Sequence, residues 1–500
     1  MSTPAVPSPS ARHRLSRRDW RTILVLLVAA FVVILNETIM NVALPSLMVE
    51  LGVSATTVQW LSTAFLLTMA VVIPMTGFIL QRFTTRFVFV LAMGLFSLGT
   101  LVAGLAPGFW PLLAGRVVQA SGTAIMMPLL MTTILRLVPT HMRGSVLGTV
   151  SVVISVAPAL GPTVSGVILQ TLSWRFMFLL VLPIALAAIS VGARLLERGG
   201  EVRRSSIDVP SVVLAAVGFG GFVYGVSAAG EGPGAAGRPE AIVPIVVGLV
   251  SLVAFVLRQR ALQRTDDPLL DLRVFRFRMF SLSVGLFVIA MMALFGSMIL
   301  LPIYLQNVRG FGSLETGLFL LPGGALMGLA APFVGRLFDR RGPVPLTTIG
   351  ASLIALTLWR FSTIDAATPA PLLLAYHLTL CSGMALLFTP LMTTAMNPLP
   401  PRLYSHGSAT LSTLQQVGGA VGVALLVTVM SSRAAALAAS QGPALAQAAG
   451  LRTAFAVGSA FAVVAGALTL FLRRVAPAED DAALAGPQVE VGEELALSAR

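Results

Sequence analysis

Fourteen apolar runs, each long enough to cross a lipid bilayer, fill most of the chain: near 23–45, 59–80, 87–106, 110–134, 145–171, 174–196, 209–229, 241–257, 281–305, 313–334, 344–362, 371–396, 408–430 and 453–473. About 20 apolar residues span the ~30 Å hydrocarbon core. Within that core every backbone N–H and C=O must be satisfied inside the protein, which leaves helices or closed barrels. The runs lack the alternation and regular turn spacing of barrel strands. The sequence therefore predicts an all-α integral membrane protein with about fourteen transmembrane helices. Composition agrees: 56% of the 500 residues are hydrophobic, 11% are charged and the mean hydropathy is +0.91, against roughly 25% charged residues in a soluble domain. The first run follows Arg12, Arg14, Arg17, Arg18 and Arg21. It exceeds the ~7 to 15 residues of a signal-peptide core and no small-residue cleavage site follows, so it reads as a retained span.

The net charge of +13 is carried by arginines clustered between the runs, where basic residues set topology rather than bind nucleic acid. Arg82, Arg86, Arg136, Arg143, Arg194, Arg198, Arg258, Arg260, Arg336, Arg340, Arg341, Arg473 and Arg474 all fall on alternate connections, with the basic amino-terminal segment. The opposite set holds Arg238, Arg309, Arg360, Arg433 and Arg452. Cytoplasmic loops collect the excess of basic residues, so both termini are expected in the cytoplasm and the protein in the cell membrane. Residues 475–500, with Glu479, Asp480, Asp481, Glu490, Glu493 and Glu494, read as an acidic disordered tail.

Several chemistries are excluded. All 33 basic residues are arginine, so the lysine-dependent phosphate loop G-x-x-x-x-G-K-[ST] is absent and no nucleotide is expected. Cys381 is the single cysteine, and His13, His141, His377 and His406 are scattered, which rules out a disulfide framework and offers no metal or cofactor cluster. No acid pair lies in the membrane, so an enzyme is not expected.

GFILQRFTTR (77–86) follows the second run and GRLFDRRGPV (335–344) follows the tenth. Equivalent turns at these places imply two six-helix halves, and repeated halves put a transport site between them near the midplane. The expected division is 1–22, a basic cytoplasmic segment; 23–198, the first half; 199–280, a linker with two extra spans; 281–474, the second half; and 475–500, the tail. Gly77, Arg82, Arg86, Gly335, Asp339, Arg340 and Gly342 are the candidate conformational residues of the two turns.

The motifs together resemble one family. LNETIMNVALP (35–45), WLSTAFLLTMA (60–70), GRVVQASGTA (115–124), APALGPTVSG (157–166), WRFMF (174–178), LPIYLQ (301–306) and GSATLSTLQQVGGAVG (407–422) are similar to stretches of the fourteen-span drug–proton antiporter branch of the major facilitator superfamily. LNET with LQRFTTR resembles a lincomycin-exporter sub-branch. The resemblance implies two six-helix halves with two inserted helices, proton-coupled export of amphiphilic drugs, and a monomer with no cofactor. It also implies that Asn36, Asn41, Gln119 and Gln416 line a cavity. A polyspecific pocket is written in apolar side chains that look like any helix interior: Phe65, Met126, Met127, Phe287 and Phe295 are candidates to line it, with ordinary helix packing the expected role for each. Departures are present: Asn36 stands where the family usually has aspartate, with Glu37 beside it, and Gln81 replaces the aspartate that Asp339 retains in the second turn.

The residues also speak for themselves. Ala157, Gly161 and Ser165 recur every four positions, as do Pro158, Pro162 and Gly166, so one helix face is small, allowing close approach in lipid, and another is broken by proline, with a kink where Pro162 lacks an N–H. The helix is expected to form a flexible seal between the halves, or else to be a tightly packed kinked helix with no direct part in transport. Arg116 lies inside an apolar run, where a charge costs ~2.5 kcal/mol or more and must face a cavity or partner. At 1.5 Å per residue, Glu37 is about 22 Å and Arg116 about 21 Å from the inner face. The two are level, so a Glu37–Arg116 contact is expected, direct or through water, with Gln119 one turn deeper. Asp208, Glu315 and Asp339 fall at helix ends or turns, leaving Glu37 as the expected proton carrier. A transporter of a specific metabolite on the same fold is the alternative, since fold alone does not fix function.

Overall fold

The computed structural model describes residues 16–138, 140–196, 208–229, 237–264, 268–365, 367–400 and 403–474. Among them are fourteen long helices. The first six are α1 Arg17–Leu51, α2 Trp60–Arg82, α3 Thr85–Gly104, α4 Phe109–Leu137, α5 Thr140–Thr171 and α6 Val181–Leu195. A pair follows, α7 Val209–Ala228 and α8 Pro239–Leu262. The last six are α9 Arg278–Ile303, α10 Ser313–Arg341, α11 Pro343–Phe361, α12 Ala370–Met396, α13 Tyr404–Gln441 and α14 Pro443–Thr469. All but α5 contain a described window long and apolar enough to cross a membrane. α5 is 32 residues long and uncharged from Gly144 to Gln170. The acidic tail, Arg12, Arg14 and most of the loops on either side of α7 lie outside the described residues.

Local chemistry sets the ends. Ser16 and Asp19 form a reciprocal capping box at the start of α1, satisfying two orphan donors, and Gly52 closes it at φ 63°. Gly342 and Gly442, at φ 75° and 79°, each precede a proline that opens the next helix. The left-handed glycine stops one helix and the proline, already at helical φ, starts the next. This one device makes both the α10–α11 and α13–α14 turns.

Helices α1–α6 pack together, as do α9–α14, and two seams join the sets. One is α5 against α10; the other is α2 against α13. The α7–α8 pair leans on the second seam through α7, which touches both α2 and α13. Leu66 and Leu67 of α2, Val223 of α7, and Ala420 and Ala424 of α13 form one apolar cluster there. Gln59 donates to Ser227 at 2.9 Å and Trp60 stands 5.9 Å from Tyr224. α7 and α8 meet through Gly218, Gly221 and Gly225 against Gly248 and its neighbours, the small-residue contact that lets helices approach closely in lipid.

Candidate functional site

Arg116, two turns into α4, is buried at 1% exposure. Its Nη1 donates to Gln119 Oε1 at 2.7 Å and to Asn36 Oδ1 at 3.3 Å. Nε donates to the Leu61 carbonyl at 3.3 Å, and the guanidinium lies 4.0 Å from the centre of the Phe65 ring. Gln119 Nε2 passes the chain on to the Thr100 hydroxyl at 2.7 Å, which donates to the Phe96 carbonyl at 2.6 Å. Helices α1 to α4 are thereby tied around one cation whose direct partners are neutral. A desolvated cation over an aromatic face gains ~2 kcal/mol, and the hydrogen bonds replace those it made to water.

The close approach of α3 and α4 makes this network possible. A Cβ on Gly99 would fall within 2.7 Å of the Gln119 backbone, and one on Gly115 would fall 2.7 Å from the Ala103 nitrogen. Gly122 faces Ala92 and Phe96 in the same way.

Glu37 does not make the direct contact with Arg116 that equal depth suggests. No hydrogen bond or ion pair joins them among the described residues, and they interact electrostatically across a gap. Successive helix positions diverge by about 100°: Asn36 takes the direction of Arg116, and Glu37 is turned away by more than a quarter of the circle. Asn36, Thr38, Arg116 and Gln119 are all buried, whereas Glu37 keeps accessible surface. Asn41, one turn beyond Glu37 and so beside it on α1, is buried as well.

The small face and the proline face of α5 meet different neighbours. Gly161 lies against the Thr38 side chain of α1 in its own half. Pro162 and Gly166 cross to the other half: a Cβ on Gly166 would fall 2.6 Å from Leu314 Cα, and one on Gly317 would fall 2.8 Å from the Pro162 carbonyl carbon. The Thr163 hydroxyl donates to the Gly317 carbonyl at 3.2 Å. Nearby, Gln306, on a π-helical turn at Tyr304–Val308 that ends α9, donates to the Val42 carbonyl of α1 at 3.0 Å. These bonds draw the halves together at the end of the bundle opposite the chain termini.

Residues 26–423 match the Major Facilitator Superfamily. The chain belongs to that superfamily. Lincomycin resistance protein LmrB of Listeria innocua is 40% identical over 454 residues, which are 90% of this chain and 95% of that protein. The multidrug resistance protein B homolog of Mycobacterium tuberculosis is 30% identical over 439 residues, 86% of this chain and 81% of that protein. The xylose transporter XylE of E. coli, in a partially occluded inward-open conformation, superposes with a TM-score of 0.60 at 14% identity, covering 91% of this chain and all of that one. The protein is thus a multi-pass membrane transporter of small molecules.

Within this transporter the remaining candidates are placed as follows. Gln416 of α13 is buried, and its side-chain carbonyl has no protein partner. Gly77 and Gly335 border open space, so neither permits a helix contact here. Arg82 and Arg340 are exposed and Arg86 is half-buried. The Gly342 turn meets the Arg474 side chain, and the side chains of Gln81 and Asp339 lie outside those described. Sequence reading missed Thr100, Leu61, Gly99, Gly317 and Gln306. Phe65, a candidate for lining a pocket or for ordinary packing, is buried as the floor under Arg116.

Proposed function

We propose that this transporter exports amphiphilic drugs, antibiotics or related small molecules across the cell membrane in exchange for protons, with both termini cytoplasmic and Glu37 as the proton carrier. The observation that carries this is a contrast inside the first half: half-buried Glu37, with no hydrogen-bond partner among the described residues, near a sealed cation bound only by neutral groups. A membrane-buried carboxylate is functional by default, and this one has no hydrogen bond to give up when it takes a proton. The names of the relatives support drugs and lincomycin-like antibiotics as the substrate class. The division into halves at 23–198 and 281–474, with 199–280 inserted, fits the packing, and a monomer bears the whole site.

The cycle follows from one group with two exclusive states. Ionised Glu37 offsets Arg116 and accepts a neutral or singly cationic substrate from the cytoplasm. The α5–α10 seam, on the outer side, opens; a proton from outside neutralises Glu37, and the substrate leaves. Each proton contributes ~1.4 kcal/mol per pH unit and ~2.3 kcal/mol per 100 mV. One carboxylate offset by an arginine does not compensate two charges at that depth, so rigid dications are poor substrates.

The test is proton release from acid-loaded inverted vesicles on adding lincomycin or a monocationic dye. Wild type should release protons, Glu37→Asp should retain part of the signal, and Glu37→Gln should show none while remaining folded in the membrane. Unchanged release in Glu37→Gln removes Glu37 from the mechanism.

A further inference from the structure

The second half contains a buried titratable group that the cycle above does not use. His377, two turns into α12, is 9% exposed, with Nε2 3.3 Å from the Leu320 carbonyl of α10. A carbonyl only accepts, so Nε2 carries the hydrogen and Nδ1 is bare in the neutral ring. The Cys381 sulfur lies beside the ring, 3.8 Å from Nε2 and 4.0 Å from Nδ1, and the Phe319 ring stands 6.2 Å away. Gly323 makes room for the imidazole: a Cβ there would fall 2.7 Å from both the ring Cδ2 and the Cys381 sulfur.

Apart from Cys381, no titratable or charged side chain faces this ring among the described residues. α9, α11 and α13 carry theirs near their ends, and Glu315 is exposed at the start of α10. Asp365 is engaged by Thr368 and the Ala367 N–H in the loop before α12, and Tyr376 turns to Phe361 instead.

We propose that His377 is a second proton-binding site, and that its protonation loosens α10 from α12 and with it the α5–α10 seam. A proton added at Nδ1 creates a donor with no oxygen or nitrogen acceptor among the described residues, the Cys381 sulfur lying nearer Nε2, and a charge about 10 Å into the helix, where an unpaired cation is costly. Separation of α10 and α12 at Gly323, where no side chain blocks the way, admits water and relieves both. Leu320, which holds the ring, is one turn from Gly317, whose carbonyl takes the Thr163 hydroxyl across the seam. The inference rests on the exporter reading in one respect, that this seam faces the acidic side. Glu37 then carries the coupled proton while His377 sets how readily the outer seam opens.

Spin labels on Val167 and Leu318, both exposed beside the seam, in a Cys381→Ser background, report the α5–α10 separation. Lowering the pH from about 7.5 to about 5.5, across the range in which imidazole ordinarily titrates, should lengthen that distance in the parent and in Glu37→Gln, and leave it fixed in His377→Gln. The glutamine amide still donates to Leu320, so the variant keeps the native bond. An equal lengthening in His377→Gln overturns the proposal, as does no lengthening in the parent. Loss of the effect in Glu37→Gln assigns it to that carboxylate and overturns the proposal too. Failure of the vesicle assay above leaves these distances untouched, so the two readings fail separately. As a second measure, nitrogen NMR of a chain keeping His377 as its sole histidine should show the ring protonating together with the lengthening; lengthening while the ring stays neutral overturns the assignment.

Discussion

In the amino-terminal half, Asn36, Thr100, Arg116 and Gln119 satisfy one another across α1, α3 and α4. In the carboxy-terminal half, Ser283, Thr394, Thr410, Thr413 and Gln416 each bury an oxygen with no protein partner. An unmade buried hydrogen bond costs ~1 to 3 kcal/mol. The first half also leaves oxygens of Gln59, Ser62, Thr63 and Ser97 buried without a partner, so the contrast is local to the groups around Arg116. There the polar side chains satisfy one another and hold a fixed charge in place. The buried hydroxyls of α9, α12 and α13 form no comparable network among the described residues. The difference fits a coupling charge carried on α1 and α4.

The comparison breaks most sharply at Arg116. Replacing it with glutamine removes the cation that three neutral groups and the Phe65 face have been arranged around, and each buried acceptor left unpaired costs ~1 to 3 kcal/mol. Arg116→Gln should therefore lower the thermal midpoint of the purified protein far more than Glu37→Gln does, since Glu37 makes no direct bond. Equal losses of stability in the two variants would mean that the carboxylate is a structural partner after all.

A smaller effect sharpens the contrast between the halves. Thr100→Val leaves the Gln119 amide without an acceptor and should cost ~1 to 3 kcal/mol. Thr413→Val removes an oxygen that already lacks a partner, so its stability should stay level or rise while substrate affinity falls. Thermal unfolding in the presence and absence of substrate measures both. A Thr413→Val protein as damaged as Thr100→Val would place the threonine in a bond of the second half's own.

The fourteen helices were legible because the requirement for internal backbone hydrogen bonds in lipid leaves a long apolar run almost no choice. The level placement of Glu37 and Arg116 was legible from the helical rise alone. Direction around the helix was not. Asn36 rather than Glu37 meets Arg116 because of an angular phase that depends on how α1 is rotated against α4, and that is decided by packing. Gly161 and Pro162 were legible as lying on two different faces of α5 from their four-residue spacings, but that one meets α1 and the other α10 is again decided by packing. Thr100 and Leu61 gave no signal, since a hydroxyl and a carbonyl in an apolar run look like any helix interior until a partner from another helix reaches them.

The seam between the halves gives the next effect in size. A methyl on Gly317 would press on the Pro162 carbonyl and Thr163 Cα, and overpacking of this kind costs ~1 to 3 kcal/mol. Only the state in which α5 and α10 touch bears that strain. Gly317→Ala should accordingly shift the transporter toward the open seam and slow export by roughly tenfold if about 1.4 kcal/mol falls on the closed state. Gly285→Ala, on an exposed part of α9 beside open space, is the matched control and should leave export unchanged.

The smallest effect is expected in the inserted pair, where polarity sits at a helix end rather than mid-membrane. Asp208 precedes α7 and accepts from Arg258 Nη2 at 2.6 Å and Nε at 2.9 Å, and from the Ser211 hydroxyl. The Arg258 bonds hold its carboxyl below the usual range, partial burial opposes them, and Ser211 adds to them. Because the folded value is depressed, the pair stabilises the protein fully above the unfolded carboxyl value of about 3.9, and the contribution is lost as pH falls through the lower, folded value. Much of it is screened, since the Arg258 side chain is 39% exposed and exposed pairs contribute little. Asp208→Asn should thus show a slight, constant loss of thermal stability relative to wild type from about pH 7 down to about pH 5, narrowing only below about pH 4. Export should be unaffected, because this pair joins α7 to α8 and touches neither the Arg116 network nor the α5–α10 seam. A gap that instead opened or closed near neutral pH, or a loss of export, would show that the inserted helices take part in the proton-dependent step rather than bracing the α2–α13 seam.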